Sequence, residues 1–123
     1  MFHYYQPTKI HFGAGQLNEL GHVCRGYGKT CFLVTTPDAP LQPLYERVKK
    51  LLDAEGISVI HFDKVEPNPS VEIVEQGFAM LKEQPADFVL AVGGGSSIDT
   101  AKAIAFANGK ESIDWDHLFN EYS

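Results

Sequence analysis

The residues best suited to bind a ligand form one short run, Gly93 to Asp99, between an apolar segment and an Ala-rich segment. Three consecutive glycines, Gly93 to Gly95, remove every Cβ from the turn, so a bulky anion can contact the backbone N–H groups. The start of a following helix adds unpaired N–H groups with positive dipole character. Ser96 and Ser97 add two hydroxyl donors. Together these features predict a site for a phosphate or pyrophosphate group.

The same run also has a purely structural interpretation, a tight strand-to-helix turn. In that interpretation Ser96 is the N-cap and Asp99, three residues later, completes a capping box. A turn alone needs one glycine rather than three, and capping does not exclude anion binding because both use the same helix end. The run lacks the GK[ST] ending of a P-loop, and its glycines are not spaced as GxGxxG. Generic nucleotide fingerprints therefore do not name the ligand.

Hydrophobic periodicity predicts the elements that position this run. Short strands are predicted at Lys9–Phe12, Thr30–Thr35, Ile57–Phe62 and Phe88–Val92. Helices are predicted at about Gln16–Cys24, through the Leu44–Leu52 stripe, after an N-cap at Ser70, and at about Ser97–Ala107, with a short one around Trp115–Phe119. Apolar strands alternating with helices at a period of roughly 30 residues indicate βαβ crossovers. We expect one α/β domain over residues 1–123, with an open, mostly parallel, doubly wound sheet and helices on both faces.

Composition narrows the function classes. The chain has 123 residues, is 44% hydrophobic and carries a net charge of −6, so it can bury a core without disulfides or a structural metal. The acidic balance argues against nucleic acid or an anionic membrane as partner. No apolar run approaches the roughly 18 residues of a membrane span, and a cytoplasmic location is expected. The two cysteines, Cys24 and Cys31, are expected to be small buried thiols.

The run from Gly93 to Ala105 resembles the GGGSxxDxAKAIA signature of the iron-containing (group III) alcohol dehydrogenases. Their superfamily includes glycerol dehydrogenase and dehydroquinate synthase. Other segments are similar to family stretches in the same order: the opening strand and FG turn at Lys9–Gly13, the strand that ends in Val-Thr-Asp at Lys29–Thr36, the V-x-PNP stretch at Val65–Pro69, and the lead into the glycine strand at Ala86–Phe88.

The resemblance implies a domain that binds NAD or NADP. The family's triple-glycine turn holds the dinucleotide pyrophosphate, and its positions here are Gly93, Gly94, Gly95, Ser96 and Ser97. Asn68 matches the PNP asparagine that lies against the cofactor, and Asp99 matches a motif acid facing the cofactor cleft. A further negative charge beside a pyrophosphate is costly. We therefore expect Asp99 to point away from the phosphates, towards a donor such as Lys102 or towards solvent.

One departure from the family pattern concerns the choice of cofactor. Many members carry an acid at the end of the second strand, where it hydrogen-bonds the adenosine ribose and repels a 2′-phosphate. Thr36 stands at that position here, and Asp38 follows two residues later. If Thr36 takes the place of the acid, NADP becomes tolerable, whereas an Asp38 turned into the site favours NAD. The sequence leaves both possibilities open.

A second departure concerns the metal. In the family one Asp and three His of a helical C-terminal domain bind the catalytic iron or zinc, and the sequence given ends at Ser123. The histidines show no HxxxH or HExxH spacing. His11 and His61 lie in predicted strands and are expected to be half-buried and hydrogen-bonded. We therefore assign neither a metal ligand nor a catalytic residue in this chain.

The expected function is that of the NAD(P)-binding lobe of a metal-dependent alcohol dehydrogenase. The full enzyme would act on a small alcohol or aldehyde, and the 123-residue chain alone is expected to be inactive. One alternative is a fragment of an enzyme like glycerol dehydrogenase or dehydroquinate synthase. Another is a non-catalytic module that forms a homo-oligomer through exposed apolar residues, with Trp115, Leu118 and Phe119 as candidates.

Overall fold

Strands and helices alternate along the whole described chain. The computed structural model describes residues 8–12, 20–67, 70–93 and 95–116. The strands are β1 (Thr8–Phe12), β2 (Thr30–Val34), β3 (Ser58–Phe62), β4 (Phe88–Val92) and β5 (Glu111–Asp116). The helices are α1 (Leu20–Arg25), α2 (Gln42–Ala54), α3 (Val71–Glu83) and α4 (Gly95–Ala107), and a 3₁₀ turn (Ala39–Leu41) precedes α2. No helix within these ranges is both long and apolar enough to cross a membrane.

The five strands form one sheet in the order β1-β5-β4-β2-β3, and every neighbouring pair is parallel. Helices α1 and α2 pack together on one face, and α3 and α4 pack together on the other. The predicted fold class, a doubly wound parallel α/β sheet, is confirmed. Strands β2 and β4 are neighbours, yet the helices that follow them lie on opposite faces. This arrangement is the topological switch point of a doubly wound sheet.

The two central strands are buried on both faces. All five residues of β4 are inaccessible to solvent. In β2, Leu33 packs into the layer under α1 and α2, whereas Phe32 and Val34 pack into the layer under α3 and α4. A strand covered on both sides needs an apolar residue at every position. This explains the continuous apolar runs by which the sequence predicts both strands.

Both cysteines lie in the layer under α1 and α2. Burial raises the pKa of the Cys24 thiol to about 12 and raises the pKa of Cys31 well above its usual range. Because the thiolate is the reactive form, both side chains behave as small apolar groups at neutral pH. The prediction of two buried free thiols is confirmed.

Helix α3 begins where the sequence predicts. The Ser70 side chain accepts a hydrogen bond of 3.3 Å from the backbone N–H of Ile73, so Ser70 is the N-cap. Helix α1 is described only from Leu20, and the earlier residues 16–19 of the predicted helix lie outside the described ranges. Helix α4 begins at Gly95, two residues before its predicted start.

The short helix predicted around Trp115–Phe119 is wrong where the structure describes it. Residues Glu111–Asp116 form strand β5, which pairs with both β1 and β4. The neighbours Ser112 and Ile113 are both buried, as in a strand covered on two faces. Pairing between two strands distant in sequence overrides the weak strand preference of this Asp- and Glu-containing segment. Residues 117–119 lie outside the described ranges.

Asp87 connects the beginnings of the two central strands. Its Oδ2 atom accepts hydrogen bonds from the backbone N–H groups of Lys29 (2.8 Å) and Thr30 (3.0 Å). Gly28, just before them, has a φ of 147°, and a Cβ at this position would overlap the side chain of Asp87. Glycine is therefore required both by the backbone angle and by the close approach of Asp87.

Replacing this glycine is expected to destabilise the fold. Gly28→Ala should lower the free energy of unfolding by about 2 kcal/mol, because alanine adds backbone strain and displaces Asp87. Gly26→Ala is the matched control, since its Cβ would meet no atom closer than 3.5 Å and its φ is not positive. Urea denaturation followed by circular dichroism measures both. Equal stabilities for the two variants would contradict this account of Gly28.

The same carboxylate is expected to make stability depend on pH. Its two backbone hydrogen bonds, to Lys29 and Thr30, hold the pKa of Asp87 below its usual value of 3.8. A depressed pKa stabilises the fold above the pKa of the unfolded chain, and this contribution is lost as the pH falls through the folded-state pKa. Urea midpoints measured from about pH 6 to about pH 3 should therefore fall less steeply for Asp87→Asn than for the native chain. Parallel curves would exclude this role of Asp87.

Candidate functional site

A cleft of about 310 Å³ lies at the carboxyl ends of β2, β3 and β4. Its volume falls in the range of about 300–1,000 Å³ that is usual for small-molecule sites. The lining residues belong to the segments that follow these three strands and to the start of α2: Thr36, Pro37, Asp38, Leu41 and Tyr45; Val65, Glu66 and Pro67; Gly93, Gly95, Ser96 and Ser97. The cleft therefore occupies the switch point between β2 and β4.

The glycine turn forms one side of the cleft. Gly93 directly follows β4 and has a φ of 139°, a conformation that residues with a Cβ rarely adopt. Gly95 is the first residue of α4, and a Cβ at this position would meet no atom within 4 Å. The beginning of α4 is thus open to the cleft. Two predicted site residues, Gly94 and Asn68, lie outside the described ranges.

Ser97 has a buried hydroxyl without a partner. The residue is 1% exposed and lines the cleft, and its Oγ makes no hydrogen bond to the described part of the chain. An unsatisfied buried hydroxyl costs about 1–3 kcal/mol. Natural proteins seldom keep such a group unless something else satisfies it. Ser97 is therefore available to donate a hydrogen bond to a ligand at the start of α4.

Ser96 has a structural partner instead. Its hydroxyl donates a hydrogen bond of 2.7 Å to the carbonyl of Pro67, in the segment after β3. Because α4 begins at Gly95, Ser96 lies inside the first helical turn and is not the N-cap. The alternative interpretation of Ser96 and Asp99 as a capping box is therefore wrong. The hydrogen bond instead joins two of the three segments that line the cleft.

Asp99 does not reach the cleft. It is exposed on α4 and is absent from the lining residues. Its side chain also forms no ion pair with Lys102, the candidate donor, and both residues are described. Of the predicted site residues in the described ranges, Asp99 is the one that the structure separates from the others.

Thr36 and Asp38 both line the cleft, in the segment that follows β2. The Thr36 hydroxyl donates a hydrogen bond of 2.9 Å to Oδ2 of Asp38. The same Thr36 oxygen lies 2.8 Å from the hydroxyl of Tyr45, a fully buried residue of α2. From the sequence, Thr36 and Asp38 are competing alternatives, whereas the structure joins them by this hydrogen bond.

Tyr45 is a residue that the sequence analysis missed. It lies next to Leu44 on the apolar stripe of α2 and counts there as one more core residue. The available signal was its hydroxyl, because a buried tyrosine usually needs a hydrogen-bond partner. Glu66 was missed as well, since nothing in the sequence places it at the same cleft as Asp38.

His61 belongs to the scaffold behind this wall. Its Nε2 lies 2.8 Å from the hydroxyl of Thr35, which itself donates to the Thr36 carbonyl. Its ring meets Tyr45 edge-on, at 5.9 Å between ring centroids. Burial, helped by the nearby charge of Lys49, lowers the pKa of His61. The prediction of a half-buried, hydrogen-bonded histidine is confirmed for His61.

The charges around the cleft are one-sided. Among the described residues, its lining includes the two carboxylates Asp38 and Glu66 but no lysine or arginine. The donors that the described lining offers to an anionic group are backbone N–H groups and hydroxyls, such as those at the start of α4.

Two other possibilities for a site are weaker. A depression of about 600 Å³ lies at the opposite ends of the strands. Of its three charged lining residues, Arg25 and Glu55 pair with each other at 3.0 Å, and the third is Lys29. Ligands of doubly wound sheets bind at the carboxyl ends of the strands, which favours the cleft. Within the described ranges no three His, Cys, Asp or Glu side chains are grouped to hold a metal ion. The described residues therefore do not fit an iron site.

A switch-point cleft with a glycine turn and an open helix start is characteristic of nucleotide-binding α/β domains. More specifically, the chain belongs to the iron-containing alcohol dehydrogenase family, whose model matches residues 7–122. The family resemblance described above is thus confirmed.

Known relatives and solved structures match most of this chain. The chain is 43% identical over 116 residues to "Probable NADH-dependent butanol dehydrogenase 2" of Bacillus subtilis, and 36% identical to NADH-dependent butanol dehydrogenase B of Clostridium acetobutylicum. Each match covers 94% of this chain and 30% of the relative. Among solved structures, a 1,3-propanediol oxidoreductase matches with a TM-score of 0.76 and 34% identity, over 91% of this chain and 30% of its own. The chain thus spans about a third of the length of these relatives.

The unpartnered hydroxyl of Ser97 leads to a stability prediction for the ligand-free chain. Ser97→Ala should raise the free energy of unfolding by about 1 kcal/mol, because it removes a buried hydroxyl that has no partner in the described part of the chain. Thr35→Val is the contrasting variant, since it removes a buried hydroxyl that does have partners, and it should lower stability by about 1 kcal/mol. Urea denaturation without ligand compares them. If Ser97→Ala lost as much stability as Thr35→Val, the Ser97 hydroxyl would have a structural partner.

Proposed function

We propose that this chain is the dinucleotide-binding part of an NAD(P)-dependent alcohol dehydrogenase, with the pyrophosphate bound between the glycine turn and the start of α4. The observation that carries the proposal is the hydroxyl of Ser97, which is buried and without a hydrogen-bond partner among the described residues, yet lines the cleft at a helix N-terminus. Membership in the iron-containing alcohol dehydrogenase family supports it independently.

The residues at the start of α4 suit a pyrophosphate. The first N–H groups of a helix have no partner within it, and the helix dipole favours negative charge there. The absence of a side chain at Gly95 lets phosphate oxygens approach these N–H groups, and Ser97 adds a hydroxyl donor. The Ser96 hydroxyl donates its hydrogen bond to the Pro67 carbonyl and so connects the start of α4 to the segment after β3. Asp99, exposed and outside the cleft, adds no repulsion there.

The second half of the dinucleotide would extend from this point. The adenosine ribose would lie against Thr36 and Asp38, which line the same cleft after β2. When bound, the cofactor supplies a nicotinamide ring that accepts or donates a hydride. The role of this chain is to bind and orient the dinucleotide, while the substrate and metal contacts come from other parts of a full-length enzyme.

A small alcohol or aldehyde is the proposed substrate of that full enzyme. Relatives are named for butanol, and a similar structure is named for 1,3-propanediol. Because the chain spans about a third of those proteins and its described residues include no metal-ligand group, we propose that the chain alone has no alcohol dehydrogenase activity.

The Gly95→Val variant tests the pyrophosphate site. A Cβ at this cleft-lining position would meet no atom within 4 Å, so the fold should persist while NADH binding weakens at least about tenfold, or about 1.4 kcal/mol. Ala103→Val, an exposed position on the same helix, is the matched control and should bind NADH as the native chain does. Isothermal titration calorimetry gives the dissociation constants.

Two results would contradict the proposal. Unchanged NADH affinity in Gly95→Val would remove the glycine turn from the binding site. Iron- or zinc-dependent oxidation of butanol by the purified 123-residue chain would show that the chain is more than a cofactor-binding part.

A further inference from the structure

We propose that Tyr45 is a positioning residue that, through Thr36, holds the Asp38 carboxylate on the cleft wall, where it selects a dinucleotide with a free adenosine 2′-hydroxyl over one with a 2′-phosphate. This inference rests on the proposed function, since it concerns the ribose end of the same cleft. We call these three hydrogen-bonded side chains the Tyr45–Thr36–Asp38 triad.

The direction of the two hydrogen bonds follows from counting protons. An ionised carboxylate only accepts, so the single hydroxyl proton of Thr36 is donated to Oδ2 of Asp38 at 2.9 Å. The Tyr45 hydroxyl, 2.8 Å from the same Thr36 oxygen, must then be the donor of that second bond. Burial also raises the pKa of Tyr45, so its hydroxyl keeps its proton at neutral pH.

The position of this donor is set by the core. Tyr45 is completely buried among residues of α1, α2 and the central strands, and its ring meets His61 edge-on. Asp38, in contrast, is exposed and lies in the segment before α2. Through the two hydrogen bonds of the Tyr45–Thr36–Asp38 triad, the buried tyrosine therefore holds the Asp38 carboxylate in place. Without them, this exposed side chain would be free to turn into solvent.

These hydrogen bonds leave one carboxylate oxygen of Asp38 available to accept hydrogen bonds from a ribose. Thr36 has no proton left to donate, so it cannot bind a phosphate as a hydroxyl donor. Asp38 uses Oδ2 for Thr36, while its Oδ1 accepts no hydrogen bond from the described residues. A carboxylate oxygen of this kind accepts hydrogen bonds from ribose hydroxyls.

The surrounding charges oppose a 2′-phosphate. Glu66 lines the same cleft as Asp38, and no lysine or arginine is found among the described lining residues. A phosphate placed beside Asp38 would meet carboxylates and no balancing cation, and like charges brought together at a binding site weaken binding strongly. Of the two possibilities for Thr36 and Asp38 that the sequence leaves open, this arrangement favours Asp38 and therefore NAD.

The test is the ratio of the NADPH and NADH dissociation constants, measured by calorimetry on the 123-residue chain. The native chain should bind NADH at least about tenfold more tightly than NADPH. Asp38→Asn should bring the ratio close to one, because the repelling charge is gone. Tyr45→Phe should narrow the ratio about threefold, as expected for the loss of one hydrogen bond. A general loss of folded protein would not change this ratio.

Matched controls remove the same atoms elsewhere. Asp53→Asn changes the same charge on α2, outside the cleft, and Tyr27→Phe removes a hydroxyl from a tyrosine that packs on Phe88. Neither should change the ratio. Circular dichroism checks that each variant folds. Thr36→Val removes the middle hydroxyl of the triad and replaces Tyr45→Phe in the test if that variant fails to fold. It should also narrow the ratio of the NADPH and NADH dissociation constants.

The outcomes separate the two proposals. A native chain that binds neither dinucleotide overturns the proposed function and this inference with it. If the native chain binds NADH and NADPH equally, or if Asp38→Asn keeps the native ratio, the selection by Asp38 is overturned but the proposed function is not. A native ratio in both Tyr45→Phe and Thr36→Val overturns the positioning role of Tyr45.

Discussion

The side-by-side burial of β2 and β4 is the constraint on which the rest of the structure depends. Both strands are covered on two faces, so the chain must supply helices to each side of the sheet. After β2 it crosses to one face through α2, and after β4 it crosses to the other through α4. The carboxyl ends of the two strands are left between diverging helices, and a cleft results there whatever residues line it.

The two ends of these strands are used in opposite ways. At the amino ends Asp87 hydrogen-bonds the backbone of Lys29 and Thr30, and Gly28 lets the carboxylate approach closely. At the carboxyl ends, the Ser97 hydroxyl after β4 has no hydrogen-bond partner among the described residues. Within the described part of the chain, satisfied polar groups thus connect the strands at one end, while a buried hydroxyl at the other end has a hydrogen bond left to make.

How much could be predicted from the sequence depended on whether the signal was local. The apolar run Phe88–Val92 coincides with β4, because a strand that is buried on both faces needs an apolar residue at every position. Strand β5 was missed, because Glu111–Asp116 becomes a strand only by pairing between β1 and β4, which are distant in sequence. The glycine turn could be predicted as well, because its three glycines are consecutive in the sequence. Tyr45 was missed because its hydroxyl meets Thr36 only after α2 has packed on the sheet.

The cleft also explains how a chain with a net charge of −6 can suit an anionic cofactor. A dinucleotide is anionic at its pyrophosphate but offers hydroxyl donors at its ribose. The cleft has N–H and O–H donors at the start of α4 and a carboxylate acceptor at Asp38, which lies in the segment after β2. Because no lysine or arginine is among the described lining residues, the proposed site would bind the pyrophosphate through backbone N–H groups and a hydroxyl rather than through an opposite charge. Under the same proposal, a phosphate added beside Asp38 would be repelled by the carboxylate.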